Sequence, residues 1–231
     1  MIETSTVTLK TEGPRTFEAF AAAPARGRGT GILILSEMFG LNEPMRILAR
    51  SYAERGYPAL VPNVFWRSTP SAALAYEGPE RETAFQRLKT LDFDAAAADI
   101  GVAVRALRAL PRCGGKVAAI GFCMGGTLAF LAAARAGVDA AVSFYALGIS
   151  RHLDEVAAVA CPVQLHYGLD DQHVPAAEIE AVAAAVRANP RIETLLYPGI
   201  GHSFFNPVRP TYDAAAAALA EARVTRLLES L

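Results

Sequence analysis

Short apolar runs recur along the chain, each followed by a longer stretch whose apolar positions repeat at helical spacing. The run GILILS at 31–36 stays apolar until its last residue, the pattern of a strand buried on both faces of a sheet. Residues 44–55 then read as a helix that Gly56 stops. Further strands are predicted at 58–62, 116–121, 140–145, 162–168 and 192–197. Further helices are predicted at 81–89, 95–110, 127–136, 175–188 and 213–229. Residues 7–10 and 16–20 instead alternate apolar and polar positions, which predicts a hairpin at a sheet edge. Residues 63–80, rich in Pro, Ser and Gly, predict an irregular excursion. Strands alternating with helices predict an α/β fold: a mostly parallel central sheet with helices on both faces. No internal repeat or linker divides the chain, so residues 1–231 are expected to form one domain.

Composition narrows the function classes. The 231 residues are 52% apolar and 19% charged, with a formal net charge of -1. That is enough for one substantial core. No basic stripe points to nucleic acid, and no polybasic block or long apolar run points to a membrane. The near-neutral charge is compatible with a monomer. Three scattered cysteines, Cys113, Cys123 and Cys161, form no CxxC pair, so zinc-ribbon and thioredoxin signatures are missing. The start MIETSTVTLK lacks the pattern of a secretory signal. The expected setting is therefore cytoplasmic and reducing, where thiols stay free.

Parallel α/β sheets place ligands beyond the carboxyl ends of their strands. Four chemically capable side chains follow predicted strands: Glu37, Cys123, Asp171 and His202. Cys123 sits in Gly121-Phe122-Cys123-Met124-Gly125, which fits the G-x-nucleophile-x-G elbow at a strand-to-helix turn. There the amide of Met124 would face an oxyanion, and a helix N-terminus would favour a thiolate. The amide of Met38, in the loop after the earlier strand, is the expected second donor. A cysteine is also a common core residue, and a redox thiol is a further reading of Cys123. The order Cys123, Asp171, His202 matches nucleophile, acid and base in the α/β-hydrolase fold. Asp170 competes with Asp171 on spacing alone, while His166 lies inside a strand and reads as a core histidine. His173, beside Asp171, is placed at the edge of the site. Glu37 either caps a turn or acts on the thiol, restraining it or taking its proton.

Taken together, SEMFGLN at 36–42, GFCMGG at 121–126, GLDDQHVP at 168–175 and PGIGHSF at 198–204 resemble the dienelactone hydrolase family, the carboxymethylenebutenolidases. The similarity spans nearly the whole chain. It implies an α/β-hydrolase fold with Cys123 as nucleophile, His202 as base, Asp171 as its orienter and Glu37 as the carboxylate acting on the thiol. It implies hydrolysis of a dienelactone to maleylacetate through a thioester, with no metal or organic cofactor. The family binds the substrate carboxylate with two arginines. Arg81 matches one; Asn206 stands where the other is expected, with Arg209 three residues on. Phe85 stands where a tyrosine is expected, and Phe39, Tyr145 and Ser203 complete the set expected to border the substrate. The competing readings are hydrolysis of a different small ester and a non-catalytic ligand receptor on the same fold.

Overall fold

A computed structural model describes residues 1–231. Its centre is one eight-stranded sheet in the order β1-β2-β4-β3-β5-β6-β7-β8. These strands are β1 (Ile2–Lys10), β2 (Thr16–Pro24), β3 (Gly29–Leu35), β4 (Ala59–Pro62), β5 (Cys113–Phe122), β6 (Ala140–Phe144), β7 (Val163–Gly168) and β8 (Ile192–Tyr197). β1 pairs antiparallel with β2, and β2 antiparallel with β4; every other pairing is parallel. The expected hairpin is therefore present but longer than its alternation suggested, running in register from Ile2↔Pro24 to Lys10↔Thr16.

Side-chain alternation along the buried strands divides the core in two. Ile32 and Ile34 of β3 face one way, packing with α1 (Glu43–Glu54) and α6 (Ala214–Glu229). Leu33 and Leu35 face the other, towards α3 (Phe93–Ala109), α4 (Met124–Arg135) and α5 (Ala176–Val186). All four are fully buried, which explains why these strands read as continuous apolar runs. The remaining helix, α2 (Pro79–Lys89), follows the irregular excursion.

Four elements depart from expectation. α4 begins at Met124, not 127, and β5 reaches back to Cys113. α3 begins at Phe93, because the Asp92 side chain accepts a hydrogen bond from the Ala95 amide at 3.0 Å and caps the helix there. A 3-10 helix, Ile149–Ala158, was not expected; Ile149 and Val156 in it are buried, and Leu153 packs against the same core. No helix is long and apolar enough to cross a membrane.

The sheet order sets where a ligand can bind. From β3 the chain moves outward to β4, then returns to the other side of β3 to form β5. The carboxyl ends of β3 and β5 therefore flank a topological switch point. Glu37 and Met38 follow the first of these strands and Cys123 the second.

Candidate active site

The turn from β5 into α4 is unusually tight. Cys123 has φ 57° and ψ -122°, a conformation that costs a non-glycine residue roughly 1–3 kcal/mol. Two glycines make the turn possible. A Cβ on Gly121 would collide with the Gly125 carbonyl, and one on Gly125 would collide with the carbonyls of Leu35 and Ser36. The helix can therefore start at Met124 and lie against the end of β3. Only two other non-glycine residues have positive φ: Tyr145 at 39° and Ser203 at 61°. All three lie just past strand ends or beside His202, so the strained backbone of the whole molecule is gathered at one place.

His202 lies beyond β8 and Asp171 beyond β7. The His202 Nδ1–H donates to Asp171 Oδ2 at 2.7 Å, which leaves Nε2 for the Cys123 thiol. The other Asp171 oxygen, Oδ1, accepts the amides of His173 at 2.7 Å and Val174 at 3.1 Å. Asp171 is buried and Asp170 exposed, so only Asp171 is placed to orient the imidazole. Burial by itself would lower the pKa of His202; its hydrogen bond to Asp171 and the neighbouring Cys123 outweigh burial and raise it to about 10. His166, by contrast, is buried against Tyr197, whose hydroxyl lies 2.7 Å from Nδ1; burial pushes its pKa down to about 3. It is the neutral core histidine that its position in a strand implies.

Cys123 lines a narrow cavity of about 40 Å³ with Glu37, Met38, Phe39, Arg81 and His202, and Ser203, Phe85, His173 and Arg209 close its walls. The Met38 amide makes no hydrogen bond within the protein. Met124 is the first residue of its helix, so its N–H has no partner in the helical ladder. Two free amides therefore stand at the ends of β3 and β5. No three His, Cys, Asp or Glu side chains are grouped so as to hold a metal ion. A larger cavity, about 510 Å³, lies between α2, α3 and residues 64–69, but no cysteine or histidine lines it.

A model of the dienelactone hydrolase family matches residues 17–231. The chain belongs to the dienelactone hydrolase family. It is similar to the carboxymethylenebutenolidase of Pseudomonas putida, 35% identical over 221 residues that cover 95% of this chain and 94% of that protein. It is also similar to carboxymethylenebutenolidase 1 of Cupriavidus pinatubonensis, at 31% identity covering 93% and 92%. Among solved structures it resembles a metagenomic dienelactone hydrolase-like promiscuous phosphotriesterase, with TM-score 0.84 at 25% identity, covering 100% of this chain and 98% of that one. The dienelactone hydrolase from Anabaena variabilis shares the fold, with TM-score 0.67 at 20% identity and coverage of 98% and 99%. This family member is a hydrolase of ester bonds with the α/β-hydrolase fold.

The remaining predicted residues divide into those that reach the cavity of this dienelactone hydrolase family member and those that do not. Arg81, Phe39, Phe85, Ser203 and Arg209 line it. Asn206 does not: it is buried, and its amide donates to Glu37 Oε2 at 3.4 Å and to the Tyr76 hydroxyl at 3.0 Å. The amide cannot also face a substrate, so its expected contact is replaced by an inward one. Tyr145 is likewise buried behind the cavity; its hydroxyl donates to Glu37 Oε1 at 3.4 Å and its ring lies 4.8 Å from that of His202. Glu37 accepts a third bond, from Ser203 Oγ at 3.2 Å. It shares the cavity with the thiol but makes no hydrogen bond to it, because its oxygens are turned to Tyr145, Ser203 and Asn206. Burial raises its pKa. The three thiols also separate. Cys123 packs on the α1 and α6 side of the sheet and Cys113 and Cys161 on the other, which removes the redox-pair reading.

Arg209 is the residue whose reach the sequence left open. A series of turns, with Asn206 N–H donating to Ser203 O and Arg209 N–H to Asn206 O, both at 3.0 Å, brings it back over the cavity. Its guanidinium lies 4.8 Å from the Tyr76 ring centroid and 5.6 Å from that of Phe39. Its buried Nε has no hydrogen-bond partner. The flanking Pro207 and Pro210 do not prevent this path.

Proposed function

We propose that this protein hydrolyses a small carboxylated lactone of the dienelactone type through a thioester on Cys123. One observation carries the reading: a cysteine held at φ 57° on the strand-to-helix turn, in series with His202 and Asp171. In this scheme the proton shared by Cys123 and His202 sits on the imidazole, as the raised pKa of His202 favours, and the thiolate attacks the ring carbonyl. The amides of Met124 and Met38 stabilise the resulting oxyanion, each contributing about 3 kcal/mol. As the ester C–O bond breaks, the imidazolium returns the proton to the departing oxygen. Water, deprotonated by His202, then attacks the thioester; the C–S bond breaks and the thiol is restored. An enol leaving group departs readily, which suits a thiol nucleophile. Arg81 and Arg209 hold the substrate carboxylate, Arg209 taking the part that Asn206 cannot. Hydrolysis of a different small ester is the second reading, favoured by Asn206 turning inward and by Phe85, which lacks a hydroxyl.

Incubation with a slowly deacylated ester, followed by peptide mass analysis, tests the scheme. The acyl mass is expected on Cys123, and Cys123→Ala should lose at least about 10³-fold in kcat while keeping its fold. Acyl mass on Ser203 alone, or an active Cys123→Ala variant, would overturn the assignment.

A further inference from the structure

Arg87 lies on the inner face of α2 and is only 4% exposed, yet no carboxylate pairs with it. Its Nη2 donates to the Met38 carbonyl at 2.7 Å, and its Nη1 donates to the Ala72 carbonyl at 2.7 Å and the Pro70 carbonyl at 3.4 Å. Its carbon centre stands 3.8 Å over the Phe65 ring. Burial lowers its pKa to about 10. A buried guanidinium without an anion is costly, and what it satisfies here is backbone. Each carbonyl around it in the loop after β3 is also held. Glu37 O accepts from the Gly40 amide at 3.0 Å, Phe39 O from the Leu74 amide at 2.9 Å and Gly40 O from the Asn42 amide at 2.8 Å. Met38 O is the one carbonyl of this stretch held by a side chain, and that side chain is charged. The Met38 N–H is the group left free.

We infer that Arg87 is a positioning residue for the oxyanion site: by anchoring the Met38 carbonyl to α2 and to residues 70–72, it aims the free Met38 amide at the reacting carbonyl. This rests on the oxyanion role proposed for Met38. The same helix carries Arg81 and Phe85 into the cavity, so one guanidinium sets the spacing between the oxyanion loop and the wall that faces it. A neutral side chain cannot replace it, because three carbonyls need a donor set that only the guanidinium fork supplies.

The experiment compares Arg87→Met and Arg87→Lys with the unaltered protein by two reactions at the same thiol. Hydrolysis of an oxygen ester develops an oxyanion; alkylation of Cys123 by iodoacetamide does not. Arg87→Met is expected to lower kcat by about 10-fold to 100-fold with little change in KM, while the alkylation rate stays within about twofold. Arg87→Lys, which keeps a charged donor, is expected to fall between the two in kcat. If Arg87→Met does not fold, Arg87→Lys alone carries the test, with kcat reduced and alkylation unchanged. Unchanged kcat in a folded variant, or equal losses in hydrolysis and alkylation, would overturn the inference. Cys123→Ala serves as the separate control: if it stays active, the thioester reading itself fails, whatever the Arg87 variants do.

Discussion

Glu37 is buried with three donors around it, and its protonation is the clearest single-residue consequence of the site. Burial raises its pKa more than the positive charges of His202 and Arg209 and the bonds from Ser203 and Asn206 lower it. The folded state therefore holds the proton more tightly than the unfolded chain, where the pKa is about 4.3. As pH rises from about 4 through the higher folded value, the native state loses stability from this group. Glu37→Gln, which does not titrate, should match the native protein's pH trend at low pH and become progressively more stable than it towards pH 8. Thermal unfolding of both proteins between pH 4 and pH 8 measures this, and a stability difference that does not change with pH would refute it. At this scale Cys123, Asp171 and His202 were legible, because each follows a strand whose apolar run is itself legible. The direction of Asn206 was not. An amide's partners depend on what folds around it, here Glu37 and Tyr76 from distant segments. Arg87 carried one faint signal, its place three residues after the buried Ala84 on the same helical face.

The β5–α4 junction shows how an element is set by close approach. Gly125 and Gly126 lower helix propensity, which is why the helix was expected only from 127. In the fold Gly125 lets α4 press on the backbone at the end of β3 and Gly126 lets it approach the end of β6, and packing overrides propensity. Gly125→Ala should therefore destabilise the protein by at least about 3 kcal/mol, since its Cβ meets two backbone carbonyls that cannot move aside. Urea unfolding would measure this; a loss below about 1 kcal/mol would mean that the junction yields. The strands were more legible than the helix ends, because burial on both faces leaves an unbroken apolar run. The 3-10 helix was legible in principle, since Ile149, Leu153 and Val156 recur at helical spacing and pack on the core, but the segment is short and bent at His152.

Across the whole molecule, the cavity walls come from segments far apart in the chain. Arg81 arrives on α2, and Arg209 arrives on the loop beyond β8. If the two act together on a carboxylate, Arg209→Ala should raise KM for a carboxylated lactone about 10-fold or more, and that for its methyl ester by less than about twofold. Arg81→Ala should behave likewise. Steady-state kinetics on the acid and ester pair decides the matter, and equal KM changes for both substrates would remove the clamp.

The sequence by itself determined the strand order's raw material, the α/β class, the elbow and the series of Cys123, Asp171 and His202. All of these follow from local pattern and from position after a strand. Only the tertiary structure decided that Asn206 turns away, that Arg209 comes back over the cavity, that Glu37 bonds to Tyr145, Ser203 and Asn206 instead of the thiol, and that Arg87 anchors Met38. For Asn206, Glu37 and Arg87 the physical reason is the same: polar side chains satisfy their donors and acceptors with whatever the fold brings within about 3 Å. Arg209 is placed by the turns after Ser203 and by the Tyr76 and Phe39 rings beside its guanidinium. Sequence spacing does not encode that neighbourhood.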